Sequence, residues 1–239
     1  LPKGYNELIV GDRKFEVGKS VNHFWLYDNI GVINSSNDIP VNPNDNTPVS
    51  FRGVELNVGD PLWRDVNNDH IINDSDKLLM GSTLPKVKGG LFNQLKYKNI
   101  DATFLMTFSL GGNMLNQAAS SRLDFINSEI SGELDDIKEI TFWQKSLEPS
   151  EYPMYNPWSD VVPYRKDQNL FLQSTDYLKL KSISIGYDFT SIIGNKVAKG
   201  GIKNVYLYTT ATNLFTISSL YKNDPELVNY YGIYDGFAL

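Results

Sequence analysis

The stretch from Asp101 to Leu110 leaves this chain little choice of fold. Ala102, Phe104, Met106, Phe108 and Leu110 alternate with Thr103, Leu105, Thr107 and Ser109. Successive side chains of an extended backbone point to opposite faces, so this is a strand with one apolar and one polar side. Residues 91–97 repeat the pattern: Leu91, Leu95 and Tyr97 share a face with Asn93, and Phe92, Gln94 and Lys96 take the other. The short turn at Lys98-Asn99-Ile100 makes the two strands a hairpin. Further strands are predicted over 175–189 and 204–216. The apolar phase shifts between Leu180 and Ile183, which predicts a β-bulge. His23–Tyr27 and Gly31–Ile33 read as a strand region, and 14–17 has β character.

The connections alternate in length. Residues 35–86 and 111–171 are long, 98–100 is minimal, and 190–203 is shorter. Inside the second long connection, Leu123, Ile126, Ile130, Leu134, Ile137 and Ile140 recur at spacings of three and four. They predict an amphipathic helix interrupted by Gly132. Soluble sandwiches rarely carry excursions of this size. Outer-membrane barrels do, pairing short periplasmic turns with long extracellular loops. No apolar run approaches the roughly 18 residues of a membrane helix, so a span here has to be built from strands. An antiparallel sheet with one face on a soluble core produces the same alternation, and that alternative stays open. Five strands cannot close a barrel, which takes about eight. The barrel reading therefore expects further sequence at both ends, and a start at Leu1 rather than Met reads as a piece of a longer chain.

Composition removes several function classes. The net charge is −6 with no basic block, which argues against nucleic acid. There is no Cys, hence no disulfide framework and no thiolate, and two His residues make a Ser-His-Asp machine improbable. No nucleophile–base pair is evident, and no catalytic residue is expected. The sharpest local motif is Asp65-Val-Asn67-Asn-Asp69-His70-Ile71-Ile72-Asn73-Asp-Ser-Asp76. Asp65, Asn67, Asp69, Asn73 and Asp76 place side-chain oxygens at loop positions 1, 3, 5, 9 and 12, and Ile71 offers its carbonyl at position 7. That spacing wraps oxygen ligands round a calcium ion. His70 stands where such loops carry Gly, and Asp76 where they carry Glu. The other reading is an Asn/Asp-rich turn held by side-chain-to-backbone bonds. Glu133, Asp135, Asp136 and Glu139 read as the solvated face of the predicted helix. Trp63, Trp143, Tyr155 and Trp158 are candidate ligand or partner contacts, with burial inside the loops as the alternative. His23, among aromatic residues, reads as packed.

Four stretches, in order, resemble the C-terminal part of SusC/RagA-type TonB-dependent outer-membrane receptors of Bacteroidetes. They are Gly59-Asp-Pro-Leu-Trp-Arg-Asp-Val-Asn-Asn-Asp69 with Gly81-Ser-Thr-Leu-Pro-Lys86; Gly89-Gly90-Leu-Phe-Asn through Asp101; Asp176-Tyr-Leu-Lys-Leu-Lys-Ser-Ile-Ser-Ile-Gly-Tyr187; and Thr212-Asn-Leu-Phe-Thr216 with Asn223-Asp-Pro-Glu226. The likeness implies an all-β fold, an antiparallel transmembrane barrel segment from a barrel of about 22 strands. It also implies a Gram-negative outer-membrane location and lipid as the outer neighbour. The present chain would be the last quarter of such a receptor. The plug, the TonB-contacting segment and the final strand would lie outside it. Implied partners are the rest of the receptor, TonB and a SusD-like surface lipoprotein, acting together in oligosaccharide or peptide import. The competing hypothesis is a soluble, calcium-stabilised, β-rich carbohydrate-binding module.

Overall fold

The computed structural model describes residues 3–11, 13–123, 141–145, 150–156, 158–190, 192, 204–220 and 225–227. The chain divides into two compact units. One comprises 84–112 and 174–226, and the other 1–83, 113–173 and 227–239.

In chain order the strands are β1 (Glu7–Val10), β2 (Arg13–Glu16), β3 (Phe24–Tyr27), β4 (Asn29–Val32), β5 (Ser50–Phe51), β6 (Val54–Glu55), β7 (Pro61–Trp63), β8 (Ile71–Ile72) and β9 (Lys77–Met80). Then come β10 (Val87–Tyr97), β11 (Ile100–Leu110), β12 (Asn113–Leu115), β13 (Leu172–Ser174), β14 (Tyr177–Asp188) and β15 (Tyr206–Ser218). A single α-helix, α1 (Gln117–Leu123), stands among the described residues. The rest of the helix expected over 123–140 lies outside them.

The second unit is one antiparallel sheet in the order β10-β11-β14-β15. β10 and β11 pair along their whole length, from Val87↔Leu110 to Tyr97↔Ile100. Lys98 takes a left-handed φ of 54° in the two-residue turn between them. The predicted bulge is present. Met106 pairs with Leu180 and Leu105 with Ser182, leaving Lys181 as the extra residue of β14. The register against β15 shifts at the same level, where Asn213 has a φ of 52°.

The first unit is built from short ribbons, β1-β2, β3-β9, β4-β7, β12-β13 and β6-β5-β8. The strand region read at 23–33 belongs to these ribbons and not to the long sheet. Four long strands therefore form the wall, where the sequence suggested five. Two apolar clusters hold this unit. The first joins Tyr27, Ile33, Phe51, Trp63, Ile72 and Val161. The second joins Phe24, Leu26, Leu115, Leu123, Tyr164 and Phe171. Gly59 is needed where it sits: its φ is 95°, and a Cβ there would stand 2.9 Å from the Trp143 ring and from Met154.

Candidate functional site

The four-stranded sheet has two unlike faces. Directly paired residues share a face, so Leu91, Met106 and Leu180 line one side with Phe104, Ile183 and Ala211. Lys88, Ser109, Gln94, Thr103, Ser184 and Thr210 line the other. The apolar face is open: Leu91, Leu95, Tyr97, Ile185, Leu207 and Ile217 are all exposed. A soluble protein rarely leaves so continuous an apolar wall uncovered. Tyr97 and Tyr187 stand on this face at the end where the tight turn lies, as in an aromatic girdle.

The connections are just as one-sided. The turn 98–99 and the segment 189–205 leave the end marked by Tyr97, Ile100, Asp188 and Tyr206. Residues before Val87, those between Leu110 and Tyr177, and those after Ser218 all leave the opposite end. On the polar face near the short-turn end, the Tyr206 hydroxyl donates to Asp101, 2.6 and 2.5 Å from its two oxygens. Gly186 makes room for this, since a Cβ there would collide with the Tyr206 hydroxyl.

Within the first unit a buried polar lock fastens residues 163–169 to β3, β4 and β7. Gln168 has no exposed surface. Its Oε1 accepts from Trp63 Nε1 at 3.0 Å and Asn29 Nδ2 at 3.2 Å. Its Nε2 donates to the carbonyls of Pro163 at 2.8 Å and Arg165 at 3.1 Å. All four capacities of the amide are used. The Arg165 guanidinium packs against the Tyr27 and Phe51 rings, 4.7 Å from each centroid. It also pairs with Asp167. Lys77 lies over Trp25 and Tyr27 and bridges Asp74 at 3.0 Å and Asp167 at 2.8 Å. Burial pushes the Asp167 carboxyl up, but the hydrogen bonds and charges of Arg165 and Lys77 hold it below its ordinary value. Burial raises the Tyr27 phenol to about 12, against the opposing effect of Arg52.

The oxygen-rich loop 65–76 is folded by its own side chains. Asp65 accepts from the N–H groups of Asn68 and His70, at 2.7 and 2.8 Å. Asn67 accepts from Asp69 N, and Asp69 from Ile71 N. Asn73 accepts from Ser75 N. Asp76, fully buried, accepts from Val66 N and Asn73 N. His70 has a φ of 62°, the left-handed conformation that the glycine of a calcium loop supplies. Asp74, inside the loop, joins the polar lock through Tyr27, Arg52 and Lys77. Among the described residues no three His, Asp or Glu side chains are gathered as a metal cluster. His70 thus takes the conformation of a glycine, while these carboxylates sit on backbone N–H groups.

The four candidate contact aromatics separate. Trp63 and Trp143 are buried, with their indole N–H groups given to Gln168 and Asn34. Tyr155 is partly exposed, in a ring cluster with Phe142 and Tyr164. Trp158 is 80% exposed, and its N–H donates to Asn156 Oδ1. Only Trp158 and Tyr155 offer a surface. The acidic residues 133–139 lie outside the described residues. His23 is packed as expected, and its Nδ1 is buried without a partner among the described residues. Sequence reasoning missed Gln168, whose single polar position carries no periodic signal.

No family model matches the sequence. Among curated proteins, the chain is 27% identical over 221 residues to TonB-dependent receptor P26 of Formosa agariphila, matching 92% of the chain and 20% of that protein. It is 25% identical over 218 residues to TonB-dependent receptor P3 of the same organism, matching 87% of the chain and 19% of that protein. Among solved structures, the RagAB peptide importer in its open-open state superposes with a TM-score of 0.63 at 18% identity, covering 98% of the chain and 23% of its counterpart. The RagAB peptide transporter gives 0.57 at 18% identity, covering 95% and 22%. The chain spans about a fifth of the length of the curated relatives it matches.

Proposed function

We propose that the chain, which is similar to TonB-dependent receptors of Formosa agariphila, supplies part of the barrel wall and the outer loops of a nutrient importer in the outer membrane of a Gram-negative bacterium. In this reading the apolar face meets lipid and the polar face lines the lumen. The long connections lie outside the cell, where a SusD-like surface lipoprotein and an oligosaccharide or peptide are met. TonB acts on the receptor through sequence beyond this chain. The observation that carries the reading is the sheet itself: one continuous apolar face, one Ser/Thr-rich face, and every long connection at one end. The exposed Trp158 and Tyr155 suit contact with the nutrient or the lipoprotein. The test is a clean deletion of the receptor gene in its source strain, with growth measured on defined peptides and oligosaccharides. Loss of uptake of one class is expected. Unchanged uptake of both classes would overturn the reading.

A second reading concerns loop 65–76, where the left-handed His70 favours a structural calcium ion. Asp65, Asn67, Asp69, Asn73 and Asp76 would hold it, with the Ile71 carbonyl. Calcium would then tie the loop to the polar lock through Asp74. The unfolding temperature of the purified receptor is expected to be higher in calcium than in chelator. In Asp65→Ala that difference is expected to vanish. Equal melting of the unaltered receptor in both conditions would dismiss the ion.

A further inference from the structure

We infer that Tyr206, Gly186 and Asp101 form a register pin: one bond across three strands that admits a single alignment of β14 and β15 among those that keep both faces of the wall intact. The pin rests on the geometry of the sheet unit. It rests on the barrel reading only for what a wrong alignment would do to the barrel.

A tight turn sets the register of a hairpin, as the turn at 98–99 does for β10 and β11. β14 and β15 are joined by residues 189–205, too long a connection to fix their alignment. Hydrophobic patterning remains. It excludes a one-residue slip, which turns every side chain to the wrong face, but a two-residue slip returns each to its own face. The local sequence makes that ambiguity acute. Ser182-Ile-Ser-Ile185 is a two-residue repeat, and across from it stand two like residues, Thr210 and Thr212. Ser184 Oγ and Thr210 Oγ1 are 2.8 Å apart. After a slip, Ser184 would face Thr212 and meet the same hydroxyl. Ser182 would meet Thr210 after a slip the other way.

Gly186 breaks the degeneracy. It is buried, and it is the one glycine of β14. It pairs with Asp101 on one side and Tyr208 on the other. Tyr206 starts opposite Asp188. Its side chain leans across Gly186 to β11, where the hydroxyl donates to Asp101 at 2.6 and 2.5 Å. β11 and β15 are about 10 Å apart with β14 between them, so this bond ties strands that share no ladder. A Cβ at 186 would collide with the hydroxyl oxygen and Cζ of Tyr206. Tyr208 stacks on the Tyr206 ring, centroids 6.1 Å apart at 27°, and supports its direction.

Slipped by two residues one way, Tyr206 would cross Ser184 towards Thr103. Slipped the other way, it would cross Asp188 towards Asn99, whose carbonyl accepts from Asp188 N–H. Either alignment puts a Cβ where the hydroxyl has to pass, and neither offers a carboxylate at the far side. The irregularity at Lys181 and Asn213 belongs to the long-loop half of the pair. The pin holds the short-turn half, from Ser182 to Asp188. In a closed barrel the register of the strands sets the shear, and the shear is tied to the diameter, so the pin guards the bore as well as the pairing.

Disulfide trapping reads the register in the intact receptor in the outer membrane. This chain has no Cys of its own. Ser184→Cys/Thr210→Cys reports the native alignment, and Ser184→Cys/Thr212→Cys and Ser182→Cys/Thr210→Cys report the two slips, because diagonal pairs stand too far apart for a disulfide. Cells are grown with reductant and oxidised with copper phenanthroline after assembly, and heat-dependent gel mobility confirms folding. With the pin intact, only the first pair is expected to cross-link. Gly186→Ala is expected to raise a slipped cross-link several-fold. In Gly186→Ala/Tyr206→Ala the clash is gone and so is the bond, and the slipped product is expected to persist. Its disappearance there would make Gly186 a mere space-keeper and overturn the pin. The native cross-link alone in folded Gly186→Ala, whatever its stability, would overturn it too. Where Gly186→Ala yields no folded receptor, Tyr206→Phe decides: slipped product supports the pin and its absence overturns it. The readout needs no nutrient, so failure of the import reading would show separately, as absence of uptake by the unaltered receptor.

Discussion

Replacing Gln168 with Leu removes a hydrogen-bonding hub while nearly conserving volume, so the change reads polar satisfaction rather than a cavity. The side chain is fully buried and serves four partners. The buried Trp63 Nε1 loses its acceptor outright, at a cost of about 2 kcal/mol. The carbonyls of Pro163 and Arg165 lose a donor, and the half-buried Asn29 amide can turn to water. These add roughly 1–2 kcal/mol together, for a total of about 3 kcal/mol. The penalty falls on the lock joining 163–169 to β3, β4 and β7, so it is a local opening and not a loss of the sheet. Hydrogen exchange on the purified receptor reads it directly. Amides of Tyr27, Ile33 and Arg64, which donate to Asp167, Asp60 and Asp28, are expected to exchange on the order of 100-fold faster. β11 and β14 amides are expected to be unchanged. In a Trp63→Phe background, which lacks the indole donor, the same substitution is expected to cost about 1–2 kcal/mol less. Exchange within about twofold of wild type would refute the claim that this amide holds the loops together.

Three further outcomes follow from the same structure. Phe104→Arg, on the apolar face, is expected to cost about 2–4 kcal/mol in a lipid-inserted barrel, while its neighbour Thr103→Arg on the polar face costs far less. Equal folded yields would show that the faces are misassigned. Gly186→Ala puts a Cβ onto the Tyr206 hydroxyl and parts it from Asp101. The gel-shift unfolding temperature is expected to drop, and no change would mean the pair contributes nothing. For acid, the sign is set by direction. Asp167 and Asp74 are held below the ordinary 3.8, so their contribution is complete above that value and is lost as pH falls through the lower folded values. Asp60, raised by burial against the Asn57 N–H, works the other way and favours the fold on its protonated side. Proteolysis of the lock across pH is expected to stay flat from neutrality to about 4 and to accelerate below it. Acceleration beginning near pH 6 would refute the assignment.

What the sequence displayed and what it hid divide along periodicity. β10, β11, β14 and β15 were legible because each repeats a two-residue alternation over many positions, and a single exception such as Phe92 does not erase it. The bulge was legible for the same reason, since Leu180 and Ile183 are out of phase. β1 was not, because the exposed Leu8-Ile9-Val10 run carries no alternation. Trp63 and Trp143 read as contact candidates because aromatic identity does not tell a buried ring from a displayed one. What decides between them is a distant acceptor, Gln168 for one and Asn34 for the other, over 100 residues away in each case.

That division also separates two kinds of tolerance to change. The wall is specified by many weak, redundant choices. Swapping one apolar residue for another on the outer face keeps both the period and the fold. The loop unit is specified by a few polar groups with several partners each, some of them far off in sequence: Gln168 and Asp76 are fully buried and Asp167 is half-buried. Related chains can therefore diverge quickly at Trp158 and Tyr155, which only display a surface. Divergence at Gln168 has to be accompanied by change at Trp63, because an orphaned buried donor costs more than any single surface contact returns.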